Sequence, residues 1–315
     1  MITVITPVYN EEENIEELFS RIDKVFLKIN KKYELLFVDN GSKDKSLEII
    51  KKIEKENSQV KFISLTKNFG HQGGIWAGLY NTDNTSIIMD SDLQHPPELI
   101  PEIIEKWSKG YKIVNTMKRK DKDTRIWKKI FSGLFYSIVN KLTNLKLSSG
   151  QSDFCLIDST ILDIIKKLPE KKIFLRGIIN SLGYDYSVVE YECEARKRGK
   201  SKFSIFEYLN LAFDGIVSFS SLSIAIFFWL GMLTAVICLF YAFYIFVLLI
   251  LNLVLLDTNQ PISNLFPPGW TSIIIGMLFI GSIQLIGLGI LGKYIALTLE
   301  NVKRRPEFFI KEKSE

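Results

Sequence analysis

Residues 1–26 of the chain read MITVITPVYNEEENIEELFSRIDKVF and contain two kinds of hydrophobic pattern. Ile2–Val8 is a short apolar run with the length of one strand. Apolar residues then recur at every third or fourth position from Ile15 to Phe26, which is the spacing of one helix face. A strand followed by an amphipathic helix predicts the first unit of an α/β fold.

The same alternation continues along the first part of the chain. A second helical pattern places Leu47, Ile50 and Ile53 on one face. Strands alternating with helices predict a mostly parallel sheet covered on both faces, in which ligands bind at the carboxyl ends of the strands. The further predicted strands are Tyr33–Val38, Val60–Leu65, Ser86–Met89 and Lys112–Asn115.

Polar residues and glycines follow each of the first four predicted strands. Loop composition alone does not explain why four strands in succession end in carboxylates, amides and glycines. We therefore expect a binding site at this edge of the sheet. The residues are Pro7, Tyr9, Asn10 and Glu11 after the first strand, Asp39, Asn40, Gly41 and Ser42 after the second, Lys67, Asn68 and Gly70 after the third, and Asp90, Ser91, Asp92 and Gln94 after the fourth.

The segment DSDLQ, residues 90–94, carries three oxygen-bearing side chains at alternate positions. In an extended segment Asp90, Asp92 and Gln94 lie on one face. Such a row suits a hard divalent cation, Mg²⁺ or Mn²⁺, that keeps water or a substrate phosphate among its ligands. The alternative is a solvated acidic turn. The position directly after a buried strand favours the metal site.

Charge is distributed unevenly along the chain. The sequence has 315 residues, with 40 Lys and Arg against 35 Asp and Glu. From Phe203 to Gly292 there is no Lys or Arg, and the acids are only Glu207, Asp214 and Asp257. This pattern predicts a polar body attached to a membrane anchor.

The anchor divides into an amphipathic segment and two apolar segments. Lys and Arg flank the apolar segments on their outer sides and are absent between them, so we expect body and tail in the cytoplasm and a multi-pass protein of the inner (cytoplasmic) membrane. The predicted units are a body at 1–202, an interfacial amphipathic helix at 203–220, transmembrane helices at 221–256 and 270–297, a loop on the far side at 257–269 and a tail at 298–315.

Two classes of function are disfavoured by composition. Cys155, Cys193 and Cys238 are far apart and odd in number, so they suggest neither a disulfide framework nor a metal site of the CxxC kind. Lys residues alternate with Glu along helix-like faces, and no clustered basic stripe or known module is present. We expect no nucleic-acid partner.

Six motifs, in order and with their spacing, resemble those of the family 2 glycosyltransferases. They are TPVYNEEENI, FVDNGSKDKS, KNFGHQGGIWAGL, DSDLQHPPE, SDFCLID and RKRGKSKF. The resemblance is strongest to the branch that transfers a sugar from a nucleotide sugar to a polyprenyl phosphate, as dolichol-phosphate mannose synthases and bactoprenol glucosyltransferases do. It implies a GT-A type body, a UDP- or GDP-linked sugar donor, an undecaprenyl or dolichyl phosphate acceptor, and inversion at the transferred sugar.

The resemblance also implies roles for residues on the donor side. It assigns Pro7, Tyr9 and Glu11 to a wall of the nucleotide pocket, and Asp39 to the nucleoside. The alternative for Asp39 is capping of the turn that follows it. The resemblance also places Asp90 at the metal and Arg119 at the diphosphate of the donor. Lys118 and Arg125 are alternatives to Arg119 for the contact with the diphosphate.

On the acceptor side, RKRGKSK matches the pattern RxxGxSK of the family with Arg196, Ser201 and Lys202. These residues are implied to hold phosphate, and the alternative is a basic membrane flank with general attraction to anionic lipid. Asp153 matches the proposed general base. Because a phosphate monoester has a second pKa of about 6 and is largely dianionic at neutral pH, we expect Asp153 mainly to orient the acceptor.

Other functions remain open from the sequence alone. An inactive relative would act as a membrane scaffold or a lipid-sugar translocation subunit, and another family 2 transferase would use a different lipid or glycan acceptor. The motif QxxRW, which processive members of the family carry, is absent. Glycine-rich apolar helices are compatible with a homo-oligomer. The sequence chooses neither the sugar, the nucleotide, the polyprenol nor the metal.

Overall fold

The computed structural model shows two compact units, Met1–Gly215 with Lys303–Glu315, and Ile216–Val302. It describes residues 1–119, 150–168, 175–192, 270–303 and 306–314, and scattered positions between 231 and 250. The tail, which was predicted only as a cytoplasmic extension, therefore groups with the body.

The first unit is an α/β structure, as predicted. All five predicted strands are present, each with bounds close to those expected, and three further strands follow them. Its elements are β1 (Ile2–Val8), α1 (Ile15–Ile29), β2 (Tyr33–Asp39), α2 (Ser46–Glu56), β3 (Val60–Leu65), α3 (Gly70–Tyr80), β4 (Thr85–Ile88), a 3₁₀ turn (Pro97–Leu99), α4 (Ile100–Ser108), β5 (Ile113–Lys118), β6 (Gln151–Ile157), α5 (Ser159–Lys166), α6 (Leu175–Ser181), β7 (Tyr186–Tyr191) and β8 (Ile310–Lys313).

The strands form one mixed sheet in the order β7-β5-β6-β4-β1-β2-β3-β8. β1 pairs in parallel with β2 and β4, β2 with β3, and β5 with β7. β6 runs antiparallel to both β4 and β5, and β8 runs antiparallel to β3. The sheet is thus mostly parallel, as expected, with two reversed strands that the hydrophobic pattern does not reveal.

Helix α1 shows how the apolar spacing builds the core. Leu18, Ile22 and Phe26 succeed one another at intervals of four residues and are at most 1% exposed. The Phe26 ring also stacks on Tyr33 at the start of β2, with 4.3 Å between ring centroids. Truncation of a buried Phe to Ala typically costs about 3–5 kcal/mol. This packing fixes the helix against the sheet.

Helix α3 has no polar face and lies very close to β1 because two of its glycines, Gly74 and Gly78, face that strand. A Cβ at Gly74 would stand 3.0 Å from the Pro7 side chain, and a Cβ at Gly78 would collide with Ile5. Both glycines therefore permit a backbone approach that a larger residue would prevent. The close approach brings the first turn of α3 to the carboxyl edge of the sheet.

The second unit contains helix α7 (Trp270–Lys303). Within the described part of the chain, one segment is long and apolar enough to cross a membrane, Phe279–Ala296 in this helix. Its large apolar side chains are exposed, for example Phe279 at 64% and Leu285 at 71%. The described positions between 231 and 250, inside the first predicted crossing, are helical. The predicted interfacial helix at 203–220 lies outside the described residues.

Candidate active site

The carboxyl ends of β1, β2 and β4 lie side by side, because β1 pairs in parallel with both neighbours. β6 runs in the opposite direction, so its first residues reach the same edge. Ser91, just after β4, donates from Oγ to the carbonyl of Pro7 at 3.0 Å. The structure thereby brings candidate residues of four strands to one edge of the sheet.

Asp90, Asp92 and Gln94 lie in a turn, so the predicted extended row of ligands on one face is wrong. β4 ends at Ile88, and Leu93 has a left-handed backbone with φ of 61°. The side chain of Leu93 is buried in the core, which fastens the turn to the body and offsets the cost of this backbone conformation. Asp92 accepts the backbone N–H of Gln94 at 3.1 Å within the turn.

His95 connects this turn to β6. Its Nδ1 accepts the backbone N–H of Asp90 at 3.0 Å, and its Nε2 lies 2.7 Å from Oγ of Ser152. Because Nδ1 is the acceptor, the neutral ring carries its proton on Nε2 and donates it to Ser152. The ring is buried and stacks on Phe154 with 5.2 Å between centroids. His95 therefore joins the turn after β4 to the start of β6.

Asp153, the predicted catalytic residue, is buried and forms a bidentate ion pair with Arg176 from α6. Nε and Nη2 of Arg176 donate to the two carboxylate oxygens at 2.7 and 3.1 Å, and Nη1 donates to the carbonyl of Gln151 at 2.6 Å. Burial alone would raise the pKa of Asp153, but Arg176 and His71 hold it well below its usual range. A carboxylate with so low a pKa is a weak proton acceptor and a well-fixed negative charge.

His71, in the first turn of α3, stands between two carboxylates. Its Nε2 is 3.4 Å from Oδ1 of Asp90 and 3.4 Å from Oδ2 of Asp153. Burial would lower the pKa of His71, but the two carboxylates raise it to about 9. The imidazole therefore links the residue predicted at the metal with the residue predicted at the acceptor. No spacing in the sequence singles it out.

The geometry around Asp90 can be tested for a divalent cation. In the ranges that the structure describes, no group of three or more His, Cys, Asp or Glu side chains is arranged to hold a metal. Oδ1 of Asp90 is nevertheless buried without a hydrogen-bond partner among those residues, and buried polar atoms are almost always paired. Asp90, Asp92 and the Gln94 amide oxygen suit a cation that completes its shell with water and substrate oxygens.

Asp39 is placed at the same edge, but both of its oxygens already serve the protein. Oδ1 accepts the backbone N–H of Ser42 at 3.0 Å, and Oδ2 accepts the hydroxyl of Ser64 at 2.8 Å. This is the turn-capping arrangement named as the alternative from sequence. Each oxygen has a second lone pair, so the predicted contact of Asp39 with a nucleoside stays a prediction.

Asn40 has a structural task that the sequence did not reveal. Its Nδ2 donates to the carbonyl of Gly70 at 2.7 Å, and its Oδ1 accepts the N–H of Phe69 at 2.9 Å. The side chain thus fastens the start of α3, where His71 follows. An aspartate at position 40 would have no N–H group to donate to the carbonyl of Gly70.

The predicted wall of the nucleotide pocket follows β1. Tyr9 and Glu11 are partly exposed, whereas Pro7 is buried within the strand. The backbone N–H of Glu11 donates to Oγ of Ser46 at 3.0 Å, and its carboxylate accepts from Nδ2 of Asn14 at 2.7 Å. These contacts hold the loop at the carboxyl edge, with the Tyr9 ring accessible to a ligand.

Comparison with known proteins identifies the family. Residues 3–165 match the family described as Glycosyl transferase family 2. An uncharacterized glycosyltransferase of Synechocystis sp. is 35% identical over 313 residues, which are 99% of this chain and 95% of the relative. The chain belongs to glycosyltransferase family 2. A prophage bactoprenol glucosyl transferase homolog of Escherichia coli K12 is 34% identical over 98% of both chains.

The predicted resemblance to family 2 glycosyltransferases is therefore confirmed, and the predicted α/β body is present with a mixed, mostly parallel sheet. A solved structure of glucosyl-3-phosphoglycerate synthase from Mycobacterium tuberculosis with Mn²⁺, UDP and phosphoglyceric acid aligns with 69% of this chain and 76% of that chain, with 20% identity and a TM-score of 0.47.

The remaining predicted site residues either lie apart from the side chains of Asp90, His71 and Asp153 or fall outside the residues that the structure describes. Arg119, just after β5, is exposed and forms ion pairs with Glu190 at 3.2 Å and Glu192 at 3.9 Å. Its contact with a diphosphate stays a prediction. Arg125 and the acceptor-side residues Arg196, Ser201 and Lys202 lie outside the described residues.

Proposed function

We propose that this chain is a metal-dependent, inverting glycosyltransferase that moves a sugar from a nucleotide-diphosphate sugar to a polyprenyl phosphate at the cytoplasmic face of the membrane. One observation carries the proposal. Asp90 follows β4, Asp153 lies in the antiparallel strand β6, and an oxygen of each carboxylate is 3.4 Å from Nε2 of His71. The donor and acceptor carboxylates expected of such an enzyme are thus adjacent. Full-length relatives named bactoprenol glucosyl transferases support the choice of acceptor.

On the donor side, the loop after β1 supplies an aromatic ring and a carboxylate at the edge of the sheet. Tyr9 offers its face to the base, and Glu11 offers hydrogen-bond acceptors to base or ribose hydroxyls. Asp90 and Asp92, with Gln94, would hold the divalent cation. When bound, the metal offsets the negative charge that develops on the departing nucleotide diphosphate.

Transfer then proceeds as a single displacement. An oxygen of the acceptor phosphate forms a bond to the anomeric carbon while the bond from that carbon to the nucleotide diphosphate oxygen breaks. The electron pair of the broken bond leaves with the diphosphate. One in-line attack inverts the anomeric configuration, and it requires the acceptor to be held on the face opposite the leaving group.

Asp153 contributes mainly by orientation. Arg176 fixes both of its oxygens, so the carboxylate has one position. The low pKa of Asp153, which Arg176 and His71 maintain against the effect of burial, makes it a poor base. An acceptor that is already dianionic needs no proton removed before attack. The fixed charges of Asp153, Arg176 and His71 therefore orient the acceptor phosphate.

The same chain is proposed to cross the membrane twice. β1 and β8 belong to one sheet, so the body and the tail lie on the same side of any membrane that the intervening chain crosses. The number of crossings between them must then be even. Helix α7 supplies one, and the uncharged stretch from Leu222 to Leu256, longer than the roughly 20 residues that a crossing needs, supplies the second.

The function is tested by transfer in a purified system. The full chain is incubated with vesicles containing undecaprenyl or dolichyl phosphate and a panel of radiolabelled UDP- and GDP-sugars, with and without a chelator. We expect label from one sugar to appear in the lipid phase, with loss of transfer in the chelator and recovery with Mg²⁺ or Mn²⁺. Analysis of the anomeric configuration of the lipid product checks inversion.

Each part of the proposal has its own contrary result. Label released only as free sugar would contradict the lipid acceptor, and transfer that persists in chelator would contradict the metal. Absence of transfer from every donor would favour a scaffold or translocation subunit. Asp92→Asn serves as a variant that changes a metal ligand while leaving the Asp153 group in place, and we expect its transfer to require more metal.

A further inference from the structure

The residues after α7 return to the catalytic body and complete its sheet. β8 pairs antiparallel with β3, and the backbone N–H of Thr66 donates to the carbonyl of Phe309 at 2.9 Å. At the other end, Ser314 exchanges two hydrogen bonds with the backbone of Phe62, at 2.9 and 2.8 Å. The segment 306–314, here called the tail strand, is thus tied to β3 along its length.

The tail strand also contacts helix α3 at both of its ends. The Phe309 ring lies 6.2 Å from the ring of Phe69, which immediately precedes α3. The Phe308 ring lies 6.2 Å from the ring of Tyr80, the last residue of α3. Aromatic pairs at such distances contribute beyond simple burial. The two phenylalanines therefore hold α3 from its first to its last turn.

From Phe69 a short series of contacts reaches the candidate active site. The N–H of Phe69 donates to Oδ1 of Asn40, and Nδ2 of Asn40 donates to the carbonyl of Gly70. The next residue is His71, whose Nε2 is 3.4 Å from both Asp90 and Asp153. The tail strand is thus separated from the carboxylates by one loop and one helix turn.

A second group of tail contacts points away from the site and offers a control. Nζ of Lys51, on α2, lies 2.7 Å from Oε2 of Glu312. Both side chains are more than a third exposed, and such surface pairs contribute little to stability. Glu312 belongs to the same strand, and its ion pair is with α2.

We infer that the tail strand is a positioning element of the active site, in which Phe308 and Phe309 hold α3 and thereby fix His71 between Asp90 and Asp153. The inference rests on the proposed function. The competing explanation is that the tail strand only covers the open edge of β3, as many proteins protect their edge strands. An edge cover would affect stability, whereas a positioning element would also affect the geometry of His71 and the rate of transfer.

The test compares the double variant Phe308→Ala, Phe309→Ala with Glu312→Gln. The chain has 2 histidines, so selective histidine labelling gives side-chain NMR signals that can be assigned to His71 and His95 by substitution. At fixed pH, we expect the double variant to move the His71 signal, to leave that of His95 nearly in place, and to lower kcat about tenfold with donor KM little changed. We expect Glu312→Gln to leave the signals and kcat as in the parent.

Three results would overturn the inference: an unmoved His71 signal in the folded double variant, an unchanged kcat, or an equal loss in Glu312→Gln. If the double variant does not fold, Phe309→Leu keeps an apolar side chain without the ring and is judged by the same His71 signal. Failure of the proposed function is recognised separately, because the parent enzyme then transfers no sugar while the NMR comparison still reports whether the tail strand controls His71.

Discussion

Two buried aspartates stand at opposite ends of β6 and serve different purposes. Asp153 lies near the beginning of the strand, and Asp158 directly follows its end. Their exposed fractions are 8% and 5%, and the pKa of each is lowered despite burial. Residue type, burial and charge state are therefore shared, and the difference lies in what surrounds each carboxylate.

Asp158 is satisfied entirely by groups that belong to the fold. It caps α5 by accepting the backbone N–H of Thr160 at 3.1 Å, and it also accepts from Trp107 Nε1 at 2.7 Å and Lys112 Nζ at 3.1 Å. Asp153 is instead held by Arg176 and faces His71, whose other neighbour is Oδ1 of Asp90, an atom without a hydrogen-bond partner among the residues described. The comparison shows that two equally buried charges differ in their surroundings: the partners of Asp158 cap and pack elements of the fold, whereas the Asp153 group adjoins a second carboxylate, that of Asp90.

The largest expected effect comes from Asp153→Asn. The amide keeps the size of the side chain but removes the charge that faces Arg176 and His71, so we expect kcat to fall about 100- to 1000-fold. We also expect a lower thermal unfolding temperature, because Arg176 is left without its carboxylate partner. The measurement is transfer from the donor identified in the panel, at several pH values. A constant factor from acid to alkaline pH agrees with orientation, and a loss confined to low pH would instead indicate a general base.

Asp158→Ala is the matched change at the other end of the strand. It removes the cap of α5 and leaves the Trp107 and Lys112 donors without this acceptor, so we expect a loss of about 2–3 kcal/mol in unfolding free energy. Thermal or denaturant unfolding of the purified enzyme measures the loss. Below the transition, kcat per folded molecule should equal that of the parent, and a large fall in kcat would erase the distinction between the two aspartates.

Arg176→Lys tests how much the contact of Arg176 with both oxygens of Asp153 contributes to activity. Lysine keeps the positive charge but cannot grip both oxygens of Asp153 as the planar guanidinium does. We expect kcat to fall about tenfold while donor KM stays within a factor of about two, because the acceptor carboxylate loses its fixed direction. Steady-state kinetics with each substrate varied in turn separates the two constants. A rise in donor KM alone would assign Arg176 to the donor side.

The smallest effect is a pH dependence of stability. Burial would raise the pKa of Asp158, but hydrogen bonds from Thr160, Trp107 and Lys112 lower it from 3.8 to about 2. A lowered folded-state pKa stabilises the protein above about pH 4, and this contribution is lost as the pH falls toward about 2. We expect the difference in unfolding temperature between the parent and Asp158→Ala to shrink over this window. A difference that stays constant would contradict the assigned partners.

The sequence predicts those parts of the site that depend on local pattern. The apolar runs give the strands, and the polar residues that follow them give the edge where Asp90 and Asp153 meet. The extended row at residues 90–94 was wrong because a buried Leu93 turns the backbone, and alternation of polar residues does not distinguish a strand from such a turn.

Contacts between distant segments are what the sequence could not predict. β8 has little apolar alternation, and its partners in β3 lie about 250 positions earlier, as in the pair of Ser64 and Glu312. The pairing of Arg176 with Asp153 depends on how α6 folds back on the sheet. Such pairings are set by tertiary structure and leave no periodic signal.

Because β8 follows α7 in the chain, it is synthesised last and joins the sheet of the catalytic body last. β3 gains its outer partner only after the apolar helix has been synthesised, so until then the body keeps an open strand edge, a feature that promotes aggregation. Completion of the sheet therefore depends on synthesis of the whole chain through α7, and a body without its last residues would keep the edge of β3 open.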